Sequence, residues 1–143
     1  MLVNQLAVFL ENKKGKLAGL TKTLAEKGID LISLSIADTL DFGIVRIITN
    51  DNELALNELK SAGYTVTSSN LIAICVPDKP NGLHKAVEAM DSCDIAIEYM
   101  YSLARKEQGR AILLFKVKDI DKALKVLAQN SDIELLKETI LTK

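Results

Sequence analysis

The chain has 143 residues, 48% apolar and 26% charged, with 18 basic against 19 acidic side chains. That length suits one ordinary domain or two small ones, and a balance this close to neutral disfavours nucleic acid as a partner, because neutralising phosphates takes an excess of base. Cys75 and Cys93 form neither a CxxC nor a zinc spacing, no apolar run reaches the length of a membrane span, and the start MLVNQLAVFLENKK lacks a basic leader region. A cytoplasmic protein with no metal and no membrane partner is expected.

The elements follow in chain order. LAVFL (6–10) is short, apolar and bounded by turn residues, which predicts a strand. After the polar loop ENKKGK, Leu17, Leu20 and Leu24 recur at helical spacing, and Gly28 supplies a stop, giving a helix over 15–27. DLISLSIAD and GIVRIITN read as two strands joined at Asp41-Phe42-Gly43, with Gly43 available for a positive-φ turn. DNELALNELKSAG opens with capping residues, places Leu54, Leu56 and Leu59 near one face and ends at Gly63, a helix over 52–62. YTVTSS alternates as a strand. The second half repeats the series: strand 71–76, helix 82–93, strands 95–104 and 110–117, helix 119–130 and strand 133–140.

The repetition is also residue by residue. At a shift of 66, LAVFL falls on IAICV (72–76), Asn12 on Asp78, Lys14 on Pro80, Gly15 on Asn81, Leu17 on Leu83, Leu20 on Ala86 and Leu24 on Met90. At a shift of 68, Ala55, Leu56 and Leu59 fall on Ala123, Leu124 and Leu127. A register sustained over both halves is an internal duplication. Two βαββαβ units, 1–69 and 70–143, are predicted, with Ser69-Asn70 as the whole linker. That order is the ferredoxin-like arrangement, an α+β fold with an antiparallel sheet and both helices on one face. Such a sheet leaves a second face and two edges to cover. Apolar residues on both faces of LISLSI predict that the second face is buried as well, which implies a homo-oligomer, expected to be a dimer.

The strand-to-helix corner is the candidate site. A helix N-terminus presents unpaired N–H groups and a partial positive charge, which suits a carboxylate. Gly15 lets the backbone approach closely, and Asn81 at the matching place tolerates positive φ. Asn12 or Asp78 could receive an ammonium group, and Lys14 or Lys16 could touch a carboxylate. Together these groups suit a free amino acid. The same residues would serve equally as plain helix caps around a tight turn, and the physics of the sequence leaves both readings open.

The run Asn12-Lys13-Lys14-Gly15-Lys16-Leu17 resembles the Asn/Asp-x-Pro-Gly-x-Leu signature of ACT domains, regulatory modules that bind amino acids. Asp78-Lys79-Pro80-Asn81-Gly82-Leu83 is its second copy. Gly28-Ile29-Asp30-Leu31 resembles the family's helix end and second-strand start, and SIADTLDFGIVRIITND the hairpin of stand-alone tandem ACT proteins. Lys14 stands where the family has proline, and Asn81 where it has glycine. The resemblance implies an amino acid held between paired units, the loop of one supplying the Asn/Asp position and the partner's second strand supplying Asp30 and Leu31. In the second copy Ala96 takes the place of Asp30. Pairing the two copies of one chain would set Asp78 against Asp30 and Asn12 against Ala96, whereas pairing like copies of two chains would set Asn12 against Asp30.

The implied function is a non-enzymatic regulatory protein that binds an amino acid effector and needs no cofactor. The alternative is an interaction module, or a regulatory subunit of an amino-acid-metabolism enzyme, without ligand binding of its own. His84 is the sole histidine, which leaves neither a metal set nor a Ser-His pair. Arg46, Arg105 and Arg110 are scattered and no Gly/Arg-rich phosphate loop accompanies them. Cys75, inside an apolar run, is expected to be a buried reduced thiol.

Overall fold

A computed structural model describes residues 2–38 and 41–137. The elements are β1 (Leu2–Glu11), α1 (Lys16–Glu26), β2 (Leu31–Asp38), β3 (Phe42–Thr49), α2 (Asn52–Ser61), β4 (Thr65–Pro77), α3 (Gly82–Asp91), β5 (Ile97–Glu107), β6 (Arg110–Val117), α4 (Ile120–Ala128) and β7 (Glu134–Leu135). The backbone divides into two compact units, one of residues 4–69 and one of residues 70–137 with Leu2 and Val3. Strand β4 runs from the first into the second, so the two strands predicted on either side of Ser69-Asn70 are one strand and no linker separates them. The strand predicted over 133–140 is represented by the two residues of β7, and its end, 138–140, lies outside the described residues.

In the N-terminal unit the strand order is β4-β1-β3-β2, in the C-terminal unit β7-β4-β6-β5, the same ferredoxin-like order twice. β1 pairs antiparallel with β3, Leu6 opposite Ile47 and Glu11 opposite Phe42. β4 pairs likewise with β6, Ile72 opposite Phe115 and Pro77 opposite Arg110. Alternation then decides the faces: Leu6, Val8 and Leu10 of β1 and Val45 and Ile47 of β3 point to one side, where Leu20 and Leu24 of α1 and Ala55 and Leu59 of α2 meet them. The second core is built alike from Ile72, Ile74, Val76, Leu113 and Phe115 under Ala86, Met90, Ala123 and Leu127. Burying each large aliphatic or aromatic side chain contributes roughly 1.5–3 kcal/mol.

Three sequence expectations are corrected. Gly43 sits inside β3 opposite Leu10 and is not among the positive-φ glycines, whereas its counterpart Gly109 turns the second hairpin at φ 75°. Leu54 is exposed on α2, where Ala55 and Leu59 face the core instead. Leu17 likewise lies outside the buried stripe of α1. Leu34 and Ile36 of β2 are exposed in the single chain. Their partners Ile47 and Val45 are fully buried, so these two leucine-like side chains lie on the helix-covered face but at its edge strand, beyond the reach of the helices. Around the second unit's first strand the opposite holds: Leu71, Ala73 and Cys75 are buried as well as Ile72, Ile74 and Val76.

Candidate functional site

The corner after β1 and the corner after Pro77 of β4 are built alike. Asn12 N–H donates to the Asp41 carbonyl (3.2 Å) and Lys16 N–H to the Lys13 carbonyl (3.2 Å). In the second copy Asp78 N–H donates to the Gly109 carbonyl (2.9 Å) and Gly82 N–H to the Lys79 carbonyl (3.1 Å). Each loop is thereby tied to the hairpin turn beside it. The residue that opens each helix is left-handed: Gly15 at φ 87° before α1 and Asn81 at φ 77° before α3. Neither makes a side-chain capping bond. The second helix of each unit is closed instead, Asp51 accepting from Leu54 N–H (3.0 Å) and Asp119 from Lys122 N–H (3.1 Å). The cap positions of α1 and α3 are therefore held by Gly15 and Asn81, not by Asn12 and Asp78.

The glycines do different things at the two corners. A Cβ on Gly15 would meet nothing within 4 Å, so glycine serves its positive φ there and not a close approach. Gly82 is buried against the strand it follows, and a Cβ there would run into the Pro77 carbonyl oxygen. Leu17 and Leu83, one residue into each helix and equivalent by the duplication, stand 38% and 41% exposed beside these open ends. The side chains of Asn12, Lys14, Lys16 and Asp30 are exposed and that of Leu31 is partly buried.

Each corner borders a cavity. In the C-terminal unit Pro77, Lys79, Pro80, Asn81, Gly82, Lys85 and Asp132 line about 270 Å³. In the N-terminal unit Phe9, Leu10, Glu11, Lys16, Phe42 and the turn Ala62–Thr65 line about 410 Å³. By the duplication the two linings share three positions, Glu11 with Pro77, Lys16 with Gly82 and Tyr64 with Asp132, and their charges are arranged differently. Lys85 Nζ donates to Asp132 Oδ2 (2.8 Å), and this bond holds the Asp132 carboxyl below the usual aspartate range. Arg110 Nη2 donates to the carbonyls of Cys75 (2.9 Å) and Asp132 (3.0 Å), and its Nε lies 3.3 Å from Cys75 Sγ, a contact that raises the guanidinium's pKa further. In the first copy Gly19 stands where Lys85 does and Tyr64 where Asp132 does, the Tyr64 hydroxyl lying over Gly19, 3.5 Å from where a Cβ would be. A glycine–tyrosine pair in one unit thus replaces a lysine–aspartate pair in the other.

A family model for the ACT domain pair matches residues 1–143. The chain belongs to the ACT domain pair family. No curated protein matches the sequence. Protein BT0572 from Bacteroides thetaiotaomicron is 34% identical, with 100% of this chain and 97% of that one covered and a TM-score of 0.91. The regulatory subunit of aspartate kinase from Thermus thermophilus is 17% identical, covering 88% and 91% of the two chains at a TM-score of 0.64. Its counterpart from Thermus flavus is 18% identical, covering 90% and 94% at 0.61. At these identities the two subunits show the fold.

Within this ACT domain pair the predicted residues fall into separate groups. Asn12, Lys14, Gly15, Lys16 and Leu17 form one corner, and Asp78, Asn81, Gly82 and Leu83 the other. Asp30 and Leu31 belong to neither. Asn12 follows Glu11, opposite Phe42, while Asp30 precedes Leu31, opposite Thr49, so the two lie beyond opposite ends of β3, a strand roughly 23 Å long. Asp30 is fixed by a reciprocal pair with Asn50, its N–H donating to Asn50 Oδ1 (2.9 Å) and its carbonyl accepting from Asn50 N–H (3.1 Å). Sequence reasoning missed Tyr64, Lys85 and Asp132 as lining residues: Lys85 stands in the first turn of α3, while Tyr64 and Asp132 come from chain far from the corners. The duplication was the available signal, since it aligns Gly19 with Lys85 and Tyr64 with Asp132. Among the described residues no three metal-ligating side chains cluster, and no helix is long and apolar enough to cross a membrane. His84 is exposed, 3.7 Å from Glu88 one turn on.

Proposed function

We propose that this ACT domain pair is a non-enzymatic regulatory protein that binds a free amino acid at its strand–helix corners, with paired units completing each site. The observation that carries the proposal is the contrast between helices. α2 and α4 have their N-termini closed by aspartates, while α1 and α3 begin from left-handed residues with no side-chain cap, so that beyond the Lys16 and Gly82 N–H groups, which donate to the Lys13 and Lys79 carbonyls, the next N–H groups are left to other acceptors. An α-carboxylate is the natural acceptor there. Asn12 or Asp78 then receives the ammonium group. Because Asp30 is a sheet length away from Asn12, it acts only across an interface, on a ligand held by another unit's corner. The regulatory subunits of aspartate kinase share this fold and lend the regulatory reading an analogy at the level of architecture.

Thermal shift against the twenty amino acids tests the reading, since a ligand bound only by the native state raises Tm. With the best ligand, Asn12→Ala and Asp30→Ala should each weaken binding roughly ten- to a hundredfold, as expected for a lost hydrogen bond to a charged group. Calorimetry that finds both variants as tight as the parent would remove these residues from the site. The same interface calls for a dimer or higher even oligomer in solution, which light scattering checks.

The exposed Leu34, Ile36, Phe9 and Phe42 favour a second reading, an interaction module that docks on an amino-acid-metabolism enzyme without a ligand of its own. It takes over if no amino acid shifts Tm at millimolar concentration.

A further inference from the structure

The sheet face turned away from the helices is in opposite condition in the two units. In the C-terminal unit it is buried: Ala73 and Cys75 of β4 and Ile112 and Leu114 of β6 are each 2% exposed or less. In the register of the N-terminal unit Ala7, Phe9, Ile44 and Arg46 take their places, and none of these is fully buried. Phe9 is 46% exposed, and Phe42, opposite Glu11 on the same face, is 53% exposed. One unit thus leaves in water the aromatic counterpart of a surface that the other buries.

This face is apolar at its centre and charged at its ends. Alternation sets Ala7, Phe9 and Glu11 of β1 beside Arg46, Ile44 and Phe42 of β3, in that order. Ala37 of β2 adjoins Ile44 and extends the apolar centre. Glu11 and Arg46 stand at opposite ends of the patch, roughly 13 Å apart along the strands. The pair that Glu11 makes with Lys13 (3.1 Å) is exposed and of the kind that contributes little.

A patch with opposite charges at its two ends is complementary to itself. Two such faces stacked about 10 Å apart can be related by a two-fold axis across the strands or along them. An axis across the strands, at Phe9 and Ile44, lays each strand over its own copy in reverse. Phe9 then meets Phe9 and Ile44 meets Ile44. Phe42 lies over Arg46 of the other copy, a favourable placing of a guanidinium on a ring, and Glu11 comes within one strand of that same Arg46. An axis along the strands would instead bring Glu11 near Glu11 and Arg46 near Arg46.

We propose that a second copy of this chain docks on this face of the N-terminal unit about a two-fold axis across the strands, with Phe9 at the centre and Glu11 and Arg46 of opposite copies meeting at both ends. The interface uses neither Asn12 nor Asp30 and forms without an amino acid.

Sedimentation equilibrium of the full, unliganded chain tests it, with circular dichroism confirming that each variant is folded. The parent should be an even oligomer at micromolar concentration, and Phe9→Glu should halve its mass. Glu11→Arg and Arg46→Glu should each weaken association by about tenfold or more, since each sets like charges together at both ends. An equimolar mixture of these two variants should associate as well as the parent, because each supplies the charge that the other has lost. Phe9 is exposed in the single chain, so Phe9→Glu carries the test if Arg46→Glu does not fold. A monomeric parent, a Phe9→Glu variant of unchanged mass, or a mixture that associates no better than its separate components overturns the proposal. A monomeric parent would also leave this face to the enzyme partner of the second reading above.

Discussion

Two glycine corners with the same backbone path should respond differently to substitution. Gly82 is the first residue of α3 and is buried against Pro77 and Val76. An added Cβ would collide with the Pro77 carbonyl oxygen and stand 3.2 Å from its carbon. Pro77 cannot yield cheaply, because its carbonyl accepts from Lys79 N–H (2.9 Å) and the residue is paired with Arg110 across the sheet. Overpacking of this kind costs about 1–3 kcal/mol, and the gain of alanine over glycine in a helix, about 0.5–1 kcal/mol, offsets part of it. Gly82→Ala should therefore destabilise by about 1–2 kcal/mol. Gly15 has open space around it and a φ of 87°, so Gly15→Ala costs the left-handed penalty of about 1–2 kcal/mol instead. The two mechanisms separate with asparagine, which tolerates that φ, as Asn81 does at 77°. Gly15→Asn should recover most of the loss, whereas Gly82→Asn should be at least as damaging as Gly82→Ala, since the collision is with Cβ itself. Urea unfolding followed by circular dichroism measures all four. The reasoning fails if Gly82→Ala lies within about 0.5 kcal/mol of the parent, the range of an ordinary surface change, or if asparagine rescues position 82.

The caps of the second helices should show their worth: Asp51→Ala and Asp119→Ala should each cost about 1 kcal/mol in the same unfolding assay. The Asp132 carboxyl titrates below its ordinary value of 3.8 in the folded chain because Lys85 bonds it, so the stability it adds is present above that value and is lost as the pH falls through the lower folded value. Asp132→Asn should accordingly flatten the acid limb of a stability–pH curve below about pH 4 and leave its neutral limb's slope unchanged.

Much of the fold was legible because the core is written twice. Leu20 and Leu24 fall on Ala86 and Met90, and Ala55 and Leu59 on Ala123 and Leu127, and all eight are buried. The element order followed from those repeats and from the Gly28 and Gly63 stops. Local signals misled where tertiary geometry decides. Ser69-Asn70 looks like a break, yet β4 runs through it, because both sides of the strand have partners to bond. Gly43 looks like a turn residue, yet its pairing with Leu10 keeps it in the ladder. Leu17 and Leu54 follow helical spacing but fall just off the stripe that meets the sheet. At the site, the corner loops were legible through Gly15 and the paired motif, whereas the lining residues were not. Tyr64 and Asp132 reach the cavities only through the return of β4 and of the chain before β7, pairings over some 45 residues that no local pattern encodes.

The open ends of α1 and α3 pose a last question, whether they are a cost of the tight corner or the means of holding an anion. A charge settles it. Gly15→Asp and Gly15→Asn share the tolerance of left-handed φ, and at that φ neither side chain is placed to cap, as Asn81 shows by making no capping bond. They differ by one negative charge at the helix N-terminus. In the unliganded protein that charge should favour the aspartate variant by about 0.3–1 kcal/mol through the helix dipole, a difference that shrinks with salt. Toward a ligand the sign reverses. A carboxylate bound at the same N–H groups would meet the new charge, and amino-acid affinity should be at least tenfold weaker in Gly15→Asp than in Gly15→Asn. The comparison cancels whatever the corner itself contributes, since both variants strain it equally. If the two bind the amino acid alike while differing in stability as stated, the dipole is real but the ligand's carboxylate sits elsewhere, and the left-handed entry to α1 is only the geometry of a sharp turn.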